Sequence, residues 1–195
     1  MNKKTKTACL FCVLICIMFI INISSVAHSG GTVFSDYGSE DHGWIIRSLH
    51  HNANKNLNYN WDNSDPNISS YMTMVYSGAF KWNSVGGNIT QSSSSGNLIK
   101  TYYDPGTTTV AYCGNYTYNT TTWHTSRFDI CINRFHVPST SFDNNTLLAH
   151  EFGHAFGLLD MQQPKNQNKL MYGFTSWTIT GPTYYDEVGF NLITN

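Results

Sequence analysis

HEFGHAFGLLD, residues 150–160, sets two histidines four positions apart, with a glutamate after the first and a glycine and an aspartate beyond the second. On a helix, positions i and i+4 share a face, so His150 and His154 can direct both imidazoles at one metal ion. Two neutral imidazoles leave a zinc ion short of the four ligands it prefers. A catalytic site needs a third protein ligand and an open position for water. Gly157 can end the helix in a left-handed conformation and turn the chain back, which carries Asp160 toward the metal. Glu151 lies about 100° around the helix from His150, near enough to reach a water on the ion and turned away from direct ligation.

The elements flanking this helix read as α+β in mixed order. The helix begins near Asn145, capped by Asp143 or Asn144, and buries Leu147, Leu148, Phe152 and Phe156. Upstream, Asp65-Pro66 supplies an N-cap and a first-turn proline to a packing helix carrying Ile68, Tyr71, Met72, Val75, Ala79 and Trp82. That apolar stripe is core in character. Pro182 and Asp186 introduce a short terminal helix with Val188, Phe190, Leu192 and Ile193. Residues 43–52, 107–113 and 127–135 read as strands, the first with Ile45, Arg47 and Leu49 on one side and Ile46 and Ser48 on the other. His50 and His51 are neighbours on that strand and point to opposite faces, which makes them ordinary packing or surface histidines. QSSSSG at 91–96 is a loop.

The chain of 195 residues is long enough for one domain with a sizeable core. Lys3, Lys4 and Lys6 precede an apolar run from Ala8 to Ile21, shorter than the ~20 residues that span a bilayer, and small residues follow at Ser24, Ser25 and Ala27. This predicts a secretory signal over residues 1–27, cleaved after Ala27, with an uncleaved membrane anchor as the alternative. The mature chain is then a single domain over 28–195, divided at Gly157 into an upper part, 28–157, and a lower part, 158–195, and it is secreted and extracellular. Losing three of the eleven basic residues and no acid leaves eight against twelve acidic, a formal charge of −4, which argues against nucleic acid as a partner. A monomer with no stable membrane association is expected. Of the five cysteines only Cys113 and Cys131 remain, and in an oxidising compartment they are expected to pair, restricting the unfolded chain by about 3 kcal/mol.

The motif His150-Glu151-x-x-His154-x-x-Gly157-x-x-Asp160 resembles the metzincin zinc signature HExxHxxGxxH with aspartate in the last position, a variant similar to that of the snapalysin-like members. Leu170-Met171-Tyr172 resembles the Met-turn beneath the metzincin zinc. Ala79-Phe80-Lys81-Trp82 and Tyr185-Asp186-Glu187-Val188 add weaker resemblance to matrixin-like members. The resemblance covers about residues 43–193. It implies a mixed twisted sheet with a packing helix and an active-site helix, a small C-terminal subdomain after Gly157, and one catalytic Zn2+ held by His150, His154 and Asp160. It also implies a polypeptide substrate bound along an edge segment near 107–118. No cysteine-bearing prodomain of the matrixin kind is seen. The position of the astacin-like zinc-binding tyrosine is Gly173 here, so Tyr172 is not read as a ligand.

The function expected on these grounds is a secreted zinc-dependent endopeptidase that hydrolyses internal peptide bonds, with Glu151 as general base and then acid. Two alternatives stand beside it. One is a zinc peptidase whose third ligand is a glutamate on a later helix, for which Glu187 is the only downstream candidate. The other is a non-catalytic secreted zinc-containing binding domain. Ca2+ is conceivable at Asp36, Glu40, Asp41, Asp62, Asp65 or Asp104, but these loops match no calcium motif and solvated carboxylates are the simpler reading.

Overall fold

The computed structural model describes residues 37–47, 50–137, 144–174 and 179–194. The expected signal over 1–27, Asp36 and the Asp143 cap lie outside them. The described chain is a mixed α+β fold. Five strands form its main sheet: β3 (Asn56–Trp61), β4 (Asn88–Gln91), β5 (Leu98–Tyr102), β6 (Ala111–Tyr118) and β7 (Thr125–Asn133), in the order β4-β3-β5-β7-β6. The first four in that order run parallel and β6 closes the edge antiparallel to β7. A parallel pair needs a crossover. Helix α1 (Met72–Asn83), entered through a 3-10 turn at Ile68–Tyr71, supplies it between β3 and β4. Strand β3 alternates, with Leu57, Tyr59 and Trp61 buried, whereas β7 is buried continuously from Phe128 to Asn133, as befits a strand inside a sheet covered on both faces.

Helix α2 (Asn144–Phe156) lies against α1. The contact is close because Gly78 has no side chain: a Cβ there would stand 2.6 Å from the Leu148 Cβ and 2.9 Å from the Ala149 nitrogen. The Trp82 Nε1 donates to the Ala149 carbonyl at 2.6 Å in the buried seam. Helix α3 (Tyr184–Thr194) joins through Phe190, whose ring centroid lies 5.2 Å from Trp82 and 4.7 Å from Phe156. One apolar core thereby runs from Trp44 to Ile193. Among the described residues no helix is long and apolar enough to cross a membrane.

Several expectations are corrected. The strand predicted over 43–52 is only β2 (Trp44–Ile46), paired antiparallel with β1 (Tyr37–Ser39). Trp44 and Ile46 are the buried side, and the chain leaves the strand because Arg47 N–H donates to Gly157 O at 2.8 Å and His50 turns at φ 73°. Asp65 does not cap α1. Its carboxylate accepts the Asn67 amide and both the amide and hydroxyl of Thr101, tying the preceding turn to β5. The strand read at 107–113 lies at 111–118 and that at 127–135 at 125–133. QSSSSG forms the connection between β4 and β5, with Gln91 still in the strand. Cys113 and Cys131 are free thiols. The antiparallel register sets Cys113 opposite Ile130 and Tyr112 opposite Cys131, so the two side chains occupy opposite faces of the sheet and cannot meet.

Candidate metal centre

Helix α2 ends in a Schellman turn. Leu158 N–H donates to Gly153 O at 3.0 Å and Gly157 N–H to His154 O at 3.0 Å, with Gly157 at φ 118°. The returning chain is pinned to β2 by Leu159 N–H donating to Ile45 O at 2.9 Å. Its direction brings Asp160 back over the helix: Asp160 Oδ1 lies 3.0 Å from His150 Nε2 and 3.4 Å from His154 Nε2. One ligand atom from each of the three residues falls within 4.8 Å of the others, and among the described residues this is the single such group.

Both imidazoles are fixed by backbone carbonyls. His150 Nδ1 bonds Leu170 O at 2.7 Å and His154 Nδ1 bonds Leu158 O at 2.8 Å. A carbonyl only accepts, so each Nδ1 carries a proton, and Nε2 is the nitrogen turned to Asp160, donating to its carboxylate when the ring is protonated and free to bind a metal when it is neutral. Burial acts to raise the Asp160 carboxyl, but the bonds to His150 and His154 outweigh it and hold Asp160 far below the usual carboxylate range. Burial acts to lower His154, yet Asp160 and Glu151 together raise it. Two nitrogens and one carboxylate oxygen, with no fourth protein donor in the cluster among the described residues, form a donor set whose chemistry suits zinc.

Glu151 is buried on the same helix. Burial raises its carboxyl pKa, partly offset by the two histidines. Its Oε2 has no partner among the described residues. A buried acceptor left without a donor costs about 1–3 kcal/mol, which marks this oxygen as awaiting a group from outside the chain. It borders a cleft of about 810 Å³ lined by His150, Glu151, His154, Asp160 and the segment Thr108–Cys113.

Met171 packs against the helix that carries His150 and His154. The missing side chain of Gly153 makes room for it, since a Cβ at 153 would overlap the Met171 Sδ. Asp186, fully buried on α3, accepts Leu170 N–H at 2.9 Å, Met171 N–H at 3.1 Å and Thr183 N–H at 2.8 Å. Sequence reasoning read Asp186 as a helix starter and as part of a weak matrixin-like resemblance, not as a residue that supports the site. The mid-helix glycine was a signal that could have located the Met171 contact, because glycine there is unfavourable by about 1 kcal/mol unless something packs against it.

The other candidates fall elsewhere. Glu187 sits on α3 outside the ligand cluster, so the glutamate-ligand alternative has no geometric support. Tyr172 is buried, bridges to Met161 and packs on Phe174. His50 stacks on Tyr118 with centroids 3.4 Å apart, and His51 meets His124 edge-on. The acids considered for calcium have protein partners: Glu40 accepts the Gln162 and Gln163 amides, Asp41 pairs with Lys165, Asp62 accepts from Ser64, and Asp104 from Gly106.

No family model matches the chain and no curated protein matches it. Among solved structures, a chain of "GM1 bound form of the ECX AB5 holotoxin" is similar, with a TM-score of 0.49 and 14% sequence identity over 82% of this chain and 91% of that one. The expected secreted endopeptidase acting on internal peptide bonds finds no support in these comparisons and is not carried forward; what goes forward is the zinc-containing domain that the sequence reading set beside it.

Proposed function

We propose that this chain is a zinc-containing domain in which His150, His154 and Asp160 hold one zinc ion at the floor of an open cleft, where a ligand from solution completes the coordination. The observation that carries this reading is the convergence of both Nε2 atoms on Asp160 Oδ1 beside the cleft. The build is metzincin-like: two ligands from one helix, a glycine turn, a third ligand on the return, and a methionine packed against that helix. Carbonyl partners at both Nδ1 atoms support it, because they fix the tautomer a metal needs.

A second reading, hydrolysis, is favoured by Glu151. Zinc in such a site supplies a lowered pKa to water in its open position. Glu151 Oε2 is the acceptor on this chain for that proton, and burial, which raises the carboxyl pKa, makes it a stronger base for taking it.

Elemental analysis of the purified chain, before and after 1,10-phenanthroline, tests the proposal: one zinc per chain, removed by chelator, is expected, and a chain that holds none overturns it. Assaying the loaded protein on a panel of ester and amide substrates separates the readings. Chelator-sensitive turnover selects hydrolysis, and zinc without turnover selects the binding domain.

A further inference from the structure

The cleft has one lining residue with a fixed positive charge, and nothing proposed above uses it. Arg47 follows β2, and its backbone N–H is bonded to Gly157 O, so its side chain starts from the turn that ends the ligand helix. The guanidinium stands over the Tyr116 ring at 4.5 Å from the centroid. Tyr116 in turn reaches the His154 carbonyl at 3.4 Å. The cation is thus held rigidly beside the metal centre, and the residue is half-buried.

No carboxylate among the described residues lies within ion-pair distance of Arg47. Of the two carboxylates that line the cleft, Asp160 is engaged with the imidazoles, and neither Asp160 nor Glu151 pairs with Arg47. A partly desolvated charge without a counter-ion is unfavourable, and an arginine fork matches a carboxylate in shape. The charges of the lining residues agree. Arg47 against Glu151 and Asp160 gives −1, and a zinc ion brings the cleft to +1.

We infer that Arg47 is a specificity-determining residue: with zinc in place, the cleft selects ligands that carry a carboxylate a short distance from the group that meets the metal. This rests on the zinc reading above. The probes are the monohydroxamates of malonic, succinic and glutaric acid, each compared with the same compound bearing a carboxamide, titrated calorimetrically into zinc-loaded protein at low ionic strength. Each pair differs only in charge, so a purely structural role for Arg47 moves both members together. The best acid should bind about tenfold tighter than its amide, the scale of one charge-assisted hydrogen bond. Added salt should narrow the gap. Arg47→Gln should bring the pair within about twofold while zinc content holds, and Arg47→Lys should keep part of the preference. The inference is overturned if zinc-loaded protein binds no hydroxamate, if no pair is discriminated, or if Arg47→Gln discriminates as before. A chain with no zinc fails the earlier proposal instead, and the metal analysis tells the two apart.

Discussion

Asp186 and His150 are joined through a single peptide unit: Asp186 Oδ1 accepts the Met171 N–H at 3.1 Å, and the Leu170 carbonyl of the same unit accepts from His150 Nδ1 at 2.7 Å. A carboxylate on the last helix thereby orients a ligand on the central one. Asp186→Asn turns an acceptor-only group into one with two donors, leaving one of the four hydrogens it receives facing another. Thermal unfolding should register a loss of about 2–3 kcal/mol, and zinc affinity should fall with it. Unchanged zinc affinity in a destabilised variant would confine Asp186 to the fold.

The three acidic residues near the motif should separate by zinc content. Asp160→Ala removes a ligand, and elemental analysis should find the metal largely lost. Glu151→Gln should retain zinc and abolish any hydrolysis, since only the proton acceptor changes. Glu187→Gln should alter neither. Loss of zinc from Glu187→Gln with retention in Asp160→Ala would reverse the ligand assignment.

Gly153→Ala should destabilise the protein by about 1–3 kcal/mol through overlap with Met171 Sδ. Met171→Ala alone opens a cavity, so each single change should lower the melting temperature. Combined, they should lower it by less than the sum, because the smaller side chain admits the new methyl. Strict additivity would show that the two positions do not press on each other.

The motif helix, the packing stripe of α1 and the terminal helix were legible because each is a long amphipathic segment with a period the sequence displays. Strands β3, β4 and β5 were not, since NLNYNW, NITQ and LIKTY are short and polar enough to pass for connections. The clustering of His150, His154 and Asp160 was legible for a local reason: all three residues fall within eleven positions and one glycine decides the turn. Arg47, Tyr116 and Asp186 were invisible as site residues. Their proximity is created by strand register and by hydrogen bonds between distant segments, neither of which has a sequence period.

Asp129 predicts an acid limb in the stability profile. Burial acts to raise its carboxyl, but the hydrogen bond from Lys100 at 2.7 Å and that from Asn115 outweigh it and hold the value below the ordinary 3.8. As the pH falls, the unfolded chain therefore takes up this proton before the folded one does. The stabilisation is complete above the unfolded value and is lost as pH drops through the folded one. Chemical denaturation between pH 6 and pH 2.5 should show a shallower acid decline for Asp129→Asn than for the parent, from a lower starting stability (pH values chosen to bracket about 3.9).

Cys113 and Cys131 should both be alkylated by iodoacetamide once the non-reduced protein is unfolded, and mass spectrometry should find two adducts on these positions. Burial raises both thiol pKa values, so the native protein should react slowly. Native reaction as fast as that of a free model thiol would contradict their placement.

The contact between Gly78 and Leu148 sets the distance between α1 and α2, and α2 carries both imidazoles. Any side chain at 78 must push α2 away from α1, and with it two of the three ligand residues. In a saturation mutational scan position 78 should therefore behave as a functional site, tolerating almost nothing, although it touches no ligand residue. The exposed Phe80, two residues further along the same helix, should accept most substitutions.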